Sequence, residues 1–368
     1  MNTIGVGIIG ASPGPTSWAA NVHVPALQAL SAYELRAVST SRRASADAAA
    51  ATFGVDAFDN AADLITHPDV DLVVVAVKVP EHHALVSAAL AAGRMVYSEW
   101  PLGTDLAQAR DLAARADAAG VRTAVGLQSR FVPEVRRIRE LVDAGYVGDV
   151  LGTTIVGSGT SWGATTHRGQ TYLFDAANGV TPLTASAAYG LDAIAFTLGE
   201  LTRVTATAAV RRATVRIVDD GTDVPVTTPD HIALTGTLRS GAVVSAYYRG
   251  GVSRGENLRW EINGTDGDLV LTSPLANGNI QATQLVLAGG SGTATVVKEL
   301  AQPVPDDPEV AAIPTPPARA VGGLYAALAR DLRENRNEVP DFAAAVRMHA
   351  FLDTITAATA PERAVQVG

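Results

Sequence analysis

The first third of this chain exchanges short apolar runs with alanine-rich stretches, and no other feature limits its fold as much. The apolar runs fall at 4–9, 35–38, 72–77, 95–97 and 123–127, and stretches of helical composition lie between them at 45–52, 83–92 and 105–119. Strands buried on both faces read as unbroken apolar runs, because helices cover both sides of a parallel sheet. The repeated strand–helix order therefore predicts an α/β fold opening with a Rossmann-type doubly wound parallel sheet. After about residue 150 the rhythm changes. Segments at 151–157, 204–210, 231–238, 243–248, 258–262, 269–272 and 293–297 are β-rich and separated by turn signals. Arg239-Ser240-Gly241 and Asn263-Gly264-Thr265-Asp266-Gly267 read as hairpin connections. The second part is expected to be an α+β domain with a large, mainly antiparallel open sheet. The expected division is 1–125 and 126–368, the second domain ending in helices at 320–335 and 342–358. A proline-rich stretch, 303–317, precedes them as a linker or surface strap.

With 368 residues, each domain can bury its own core. The chain has no cysteine, which removes disulfides, thiolate catalysis and cysteine-ligated metals and is compatible with a reducing cytoplasm. No apolar run reaches membrane-spanning length, and a strand beginning at residue 4 leaves no room for a signal peptide. A net charge of −9 argues against direct nucleic-acid binding, which needs a basic footprint.

The first strand ends in Gly7-Ile8-Ile9-Gly10-Ala11-Ser12, followed by Pro13-Gly14-Pro15-Thr16-Ser17-Trp18. A strand ending in glycine turns tightly into a helix whose N-terminal amides hold a pyrophosphate. Gly10, Ala11, Ser12, Gly14 and Trp18 are thus candidate dinucleotide contacts, although Ser12 stands where a second glycine is usual. The second strand ends in Ser39-Thr40-Ser41-Arg42-Arg43, with no carboxylate for a ribose 2′-hydroxyl. Small hydroxyls beside arginine suit a 2′-phosphate, so Ser39, Ser41 and Arg42 point to NADP(H) over NAD(H); otherwise the arginines only begin a solvated helix. Val77 and Lys78 close the next long strand, where such sheets bind their ligands. The adjacent His82 and His83 would project about 100° apart on a helix, so no metal site is expected.

Further along, Tyr97-Ser98-Glu99-Trp100-Pro101-Leu102-Gly103 resembles the Glu-Lys-Pro signature of the glucose–fructose oxidoreductase/inositol dehydrogenase (Gfo/Idh/MocA) family. His23-Val24-Pro25-Ala26-Leu27, 126–131, 145–152 and 191–200 resemble it too, so the likeness covers nearly the whole chain. Trp18-Ala19-Ala20, Ser98-Glu99-Trp100, 172–180 and Pro229-Asp230-His231 look closer to one branch, that of the fungal galactose-pathway co-repressor. That co-repressor binds NADP and works by protein contact. The resemblance implies that His82, Glu99, Trp100, Pro101 and Gln128 border the cofactor. It brings Trp100, Arg130, Trp162, His167, Tyr172, Asp175, Asn178 and Tyr189 towards the substrate cleft, where aromatic faces and polar groups suit a polyhydroxylated ligand. It also implies a dimer or tetramer paired through the open sheet. His23 and His349 are expected to be structural.

The resemblance places the family's catalytic lysine at Trp100, its aspartate at Ala185 and its histidine at Tyr189. All three are replaced. Hydride transfer at a sugar carbon still needs a group to move the hydroxyl proton. Tyr189 is the first candidate, given a nearby cation to lower its pKa. Only two lysines exist, Lys78 and Lys298, and Lys78 lies at a strand's carboxyl end. The alternative makes Lys78 a cofactor contact and Tyr189 a packing residue. Two functions remain open: an NADP(H)-dependent oxidoreductase acting on a sugar or cyclic polyol, and a catalytically silent, cofactor-binding sensor or regulator.

Overall fold

A computed structural model describes residues 3–359. The chain forms two compact units, one of Met1–Phe131 with Pro305–His349 and the other of Val132–Val304 with Ala350–Gly368. This differs from the single division expected near residue 125, because a late segment returns to the first unit.

The first unit holds a six-stranded, all-parallel sheet of β1 (Ile4–Ile9), β2 (Tyr33–Ser39), β3 (Asp56–Phe58), β4 (Leu72–Val75), β5 (Met95–Ser98) and β6 (Thr123–Val125). Its order is β3-β2-β1-β4-β5-β6, the doubly wound arrangement expected. Every residue of β1 and β4 is buried, which is why both read as apolar runs. Helices α1 (Val24–Ala29), α2 (Arg43–Phe53), α3 (Ala61–Thr66), α4 (His82–Ala91) and α5 (Leu106–Ala119) connect the strands. The Asp105 carboxylate caps α5 by accepting from Gln108 N at 2.8 Å, and left-handed Gly120 ends it. The proline-rich stretch contains a short helix, Pro308–Ala311, capped by Asp307, before a long helix, Pro316–Glu334. Val321, Leu324, Tyr325 and Leu328 of that helix enter the same core as Val22, Leu27 and Val38. This apolar stripe draws the segment back to the first unit.

The second unit is built on an eight-stranded sheet. Its strands are β7 (Val150–Gly159), β9 (Leu201–Ala209), β12 (His231–Leu238), β13 (Val243–Gly250), β14 (Leu258–Gly264), β15 (Gly267–Thr272), β16 (Val286–Ser291) and β17 (Lys298–Glu299). The order is β17-β16-β15-β14-β7-β13-β12-β9, with β7 and β13 parallel and every other pair antiparallel. Both expected hairpins form, β12–β13 around left-handed Gly241 and β14–β15. A strand expected at 293–297 is absent: Gly292, at φ 62°, turns the chain, and the strand lies earlier, at β16. Short strands β8 (Thr165–Thr166), β10 (Thr214–Ile217) and β11 (Asp223–Pro225) form a separate three-stranded sheet. Helices α6 (Pro133–Asp143) and α7 (Ala188–Leu198) belong to the same unit. A Cβ at Gly190 of α7 would overlap the Tyr248 hydroxyl and lie 2.9 Å from Ile155 Cδ1, so glycine lets α7 approach the sheet.

Candidate functional site

At the carboxyl ends of β1, β2 and β4 the first unit opens a cavity of about 570 Å³. Gly10, Ser12, Ser39, Ser41, Arg42, Val77 and Lys78, all expected cofactor contacts, line it together. Gly10 has φ 107°, and a Cβ there would overlap Ala76 O and come within 2.8 Å of Val77 Cγ1. Only glycine brings the β1 turn that close to the end of β4, which leaves the turn free for a pyrophosphate. The β2 turn is fixed by its own side chains. Thr40 Oγ1 and Ser45 Oγ lie 2.8 Å apart and 3.1 and 2.8 Å from Arg42 O, so one hydroxyl donates to the other and the second donates to the carbonyl. Ala11 is buried beside the cavity, Gly14 sits in the open turn, and Trp18 is half-buried before a π-helical turn, Ala19–His23.

Thr40, Ser45, Asp59, Asn60, Glu81 and Leu85 also line the cavity, and none was expected to. Asp59 and Asn60 follow β3, a three-residue strand without an apolar run, so its loop carries no strand-end signal in the sequence.

His82 is fully buried at the start of α4 and ties two segments together. Its Nδ1 lies 2.9 Å from Pro101 O and its Nε2 3.1 Å from Val77 O. Burial holds its pKa below the ordinary histidine value against the pull of those carbonyls. The ring thus fixes the end of the β4 segment to the loop after β5, where the Trp100–Pro101 peptide is cis.

Glu99 is the centre of a buried polar cluster. Its Oε1 accepts from Gln128 Nε2 at 2.8 Å, Tyr97 OH at 3.0 Å and His23 Nε2 at 3.1 Å; Oε2 accepts from Gln128 at 3.0 Å. With Nε2–H on the carboxylate, His23 Nδ1 accepts from Tyr325 OH at 2.8 Å. His23 is structural, as expected, through a partner three hundred residues away that no local pattern could supply. Trp100 is buried, its ring 4.6 Å from that of His349. The position that resembles the catalytic lysine thus carries a tilted aromatic pair, its planes 47° apart.

Arg130 lies in the first unit, in the short turn Gln128–Phe131. The other expected substrate residues belong to the second. Trp162 is buried, and its indole N–H donates to Leu173 O at 2.9 Å. Asn178 Nδ2 donates to Tyr172 O at 2.9 Å, and Asp175 caps its own turn by accepting from Ala177 N at 3.0 Å. These three side chains hold the 160–179 loops in shape. Burial raises the Tyr172 pKa. His167 is exposed, with Nδ1 3.4 Å from Asp219. Tyr189 is buried in the first turn of α7, and Ala185 lies in the π-helical turn Leu183–Ala187 before it. Thr181 and Thr184 brace the start of that turn: Thr184 N donates to the Thr181 hydroxyl at 3.2 Å, and Thr181 N to that of Thr184 at 2.8 Å. Among the described residues no cluster of three or more His, Cys, Asp or Glu could hold a metal ion, and no helix is long and apolar enough to cross a membrane.

The parallel sheet, the glycine turn and the Glu99 cluster define a nucleotide-binding α/β protein, and comparison with known proteins gives its kinship. Residues 4–127 match the oxidoreductase family with an NAD-binding Rossmann fold, and 133–273 match the C-terminal domain of Gal80p. The first unit thus resembles the Gfo/Idh/MocA oxidoreductases, and the second resembles the C-terminal domain of Gal80p. The chain is 37% identical to the dehydrogenase aclE of Aspergillus oryzae over 205 residues, 54% of this chain and 56% of that protein, so it spans little more than half of that relative. It is 28% identical to the galactose/lactose metabolism regulatory protein GAL80 of Saccharomyces cerevisiae over 307 residues, 78% of this chain and 70% of that protein. The structure of a super-repressor mutant of Gal80p from the same yeast superposes with a TM-score of 0.85 at 23% identity, covering 98% of this chain and 96% of that one, which shows a shared fold.

Proposed function

We propose that this chain is an NADP(H)-dependent oxidoreductase that transfers hydride to or from a sugar or cyclic polyol. The observation that carries the cofactor reading is the end of β2. There Ser39, Ser41 and Arg42 face one cavity with the Gly10 turn, and no carboxylate follows the strand directly. Gly10 and Ser12 would receive the pyrophosphate, and Arg42 with the serine hydroxyls a 2′-phosphate. Bound there, the nicotinamide supplies or accepts the hydride. The protein must then move the hydroxyl proton, and Tyr189 and Lys78 are the groups to which we assign that work. The reaction class rests on kinship with dehydrogenases. Absence of cysteine fits a cytoplasmic setting.

A second reading is favoured by Trp100. Where the family signature has lysine, this chain has an indole packed on His349, which cannot shuttle a proton. A silent NADP(H)-binding regulator, acting through protein contacts as the similarity to GAL80 suggests, has no use for a proton donor at that position. A turnover screen over sugars and inositols with both cofactors separates the two. The enzyme reading expects at least one substrate, with turnover reduced roughly 10²-fold or more in Tyr189→Phe or Lys78→Ala. Tight cofactor binding without turnover on any substrate would establish the regulator. In either case we assign the face of the second unit's sheet where Thr205, Thr235 and Ser245 sit in register, with Val243 and Tyr247 two residues to either side of Ser245, to a second copy of the chain. Light scattering should then report a dimer or tetramer, and a monomer at micromolar concentration would end that assignment.

A further inference from the structure

Two carboxylates line the cofactor cavity, and they lie on opposite sides of β1. Glu81 follows β4. Asp59 follows β3, beside the β2 turn, where Thr40 N donates to Phe58 O at 2.9 Å. Asp59 therefore stands where a carboxylate would matter most to cofactor choice. Left open, it would accept from a ribose 2′-hydroxyl and repel a 2′-phosphate. It is not left open. Arg43 Nε donates to Asp59 Oδ2 at 3.1 Å, and the same guanidinium lies 3.9 Å from Asp47. Arg42 differs: its exposed guanidinium lines the cavity and pairs with no carboxylate among the described residues.

We propose that the two adjacent arginines divide the labour of cofactor selection: Arg42 reads the 2′-phosphate, and Arg43 masks Asp59 so that the site tolerates it. The proposal rests on the NADP(H) reading above and adds a residue, Asp59, whose charge acts on the preference only when Arg43 no longer covers it. An arginine that merely began a solvated helix would have no effect on which cofactor binds, whereas a mask acts only through the group it covers.

Calorimetric titration of the full chain with NADP⁺ and with NAD⁺ tests this without any substrate. Arg42→Ala should weaken NADP⁺ roughly tenfold or more and leave NAD⁺ within about threefold. Arg43→Ala should also weaken NADP⁺ roughly tenfold, but it should tighten NAD⁺, because Asp59 is released to the ribose diol. Adding Asp59→Asn to Arg43→Ala should restore NADP⁺ to within about threefold of wild type and abolish the gain for NAD⁺. Asp59→Asn alone, which removes no buried contact, should keep wild-type NADP⁺ affinity and shows whether the site stays folded. If wild type binds NAD⁺ more tightly than NADP⁺, the NADP(H) reading itself fails. If wild type prefers NADP⁺ but the double variant stays as weak as Arg43→Ala, Arg43 contacts the phosphate directly and the masking role is overturned.

Discussion

Replacing Glu99 by alanine is expected to destabilise the protein by about 3–5 kcal/mol. Three donors converge on Oε1, from Gln128, Tyr97 and His23, and those three residues are themselves buried. Removing the carboxylate takes this shared acceptor from all three, and each buried donor left unsatisfied costs about 1–3 kcal/mol. Glu99→Gln keeps the shape and one carbonyl acceptor, but it sets an amide N–H₂ against that of Gln128. We expect it to cost about 1–2 kcal/mol. Urea unfolding of both variants measures the difference, and His23→Leu in the Glu99→Ala background supplies a check. Once the carboxylate is gone, His23 has lost its acceptor, so the double change should cost about 1–3 kcal/mol less than the two single changes added. Simple additivity would mean that the cluster does not act as a unit.

Acid should unfold this protein partly through His349. The ring is buried against Trp100, its Nε2 has no hydrogen-bond partner among the described residues, and burial pushes its pKa down to about 4 despite the nearby charge of Asp105. In the unfolded chain the same ring titrates near 6.5. Below that value the unfolded state takes up a proton that the folded state refuses. The associated stability is thus complete above about pH 6.5 and declines as pH falls towards 4, by about 3 kcal/mol in all. His82, also buried and shifted downward, acts in the same direction. Unfolding free energies at pH 7.5 and 4.5 should therefore differ by about 2–3 kcal/mol less in His349→Phe than in wild type. Equal differences would show that His349 titrates as a solvated histidine. The carboxylates that also protonate in this range are common to both proteins and cancel in the comparison.

The sequence disclosed buried parallel strands more readily than short or exposed ones. Strands β1, β4 and β5 form where their apolar runs stand, because burial on two faces selects such runs. β3 was missed, since Asp56-Ala57-Phe58 is too short and too mixed to register. β16 was missed because its glycines dilute the β signal, while the β-branched residues just after it lie beyond a left-handed glycine. At the site, Gly10, the serines and Arg42 were legible because each occupies a fixed place relative to a strand end. Asp59, Tyr325 and His349 were not. They reach the site through tertiary packing, and nothing in their own neighbourhoods announces it.

The return of the late segment has a consequence for the order in which the molecule can be made. Tyr325 and His349, and the backbone carbonyl of Pro340 that accepts from Val125 N at 2.8 Å, complete a unit whose sheet is encoded in the first third of the chain. A growing chain on the ribosome therefore cannot close its nucleotide-binding unit when that sheet emerges. It must wait, with one edge of the core uncovered, until the segment Pro305–His349 has been synthesised. The second unit also takes in the helical residues Ala350–Ala358, but its eight-stranded sheet is complete by Glu299, before the late segment of the first unit emerges. A premature stop near residue 300 would thus leave the encoded first half without its lid, a natural substrate for chaperones and proteases instead of a small stand-alone cofactor-binding domain.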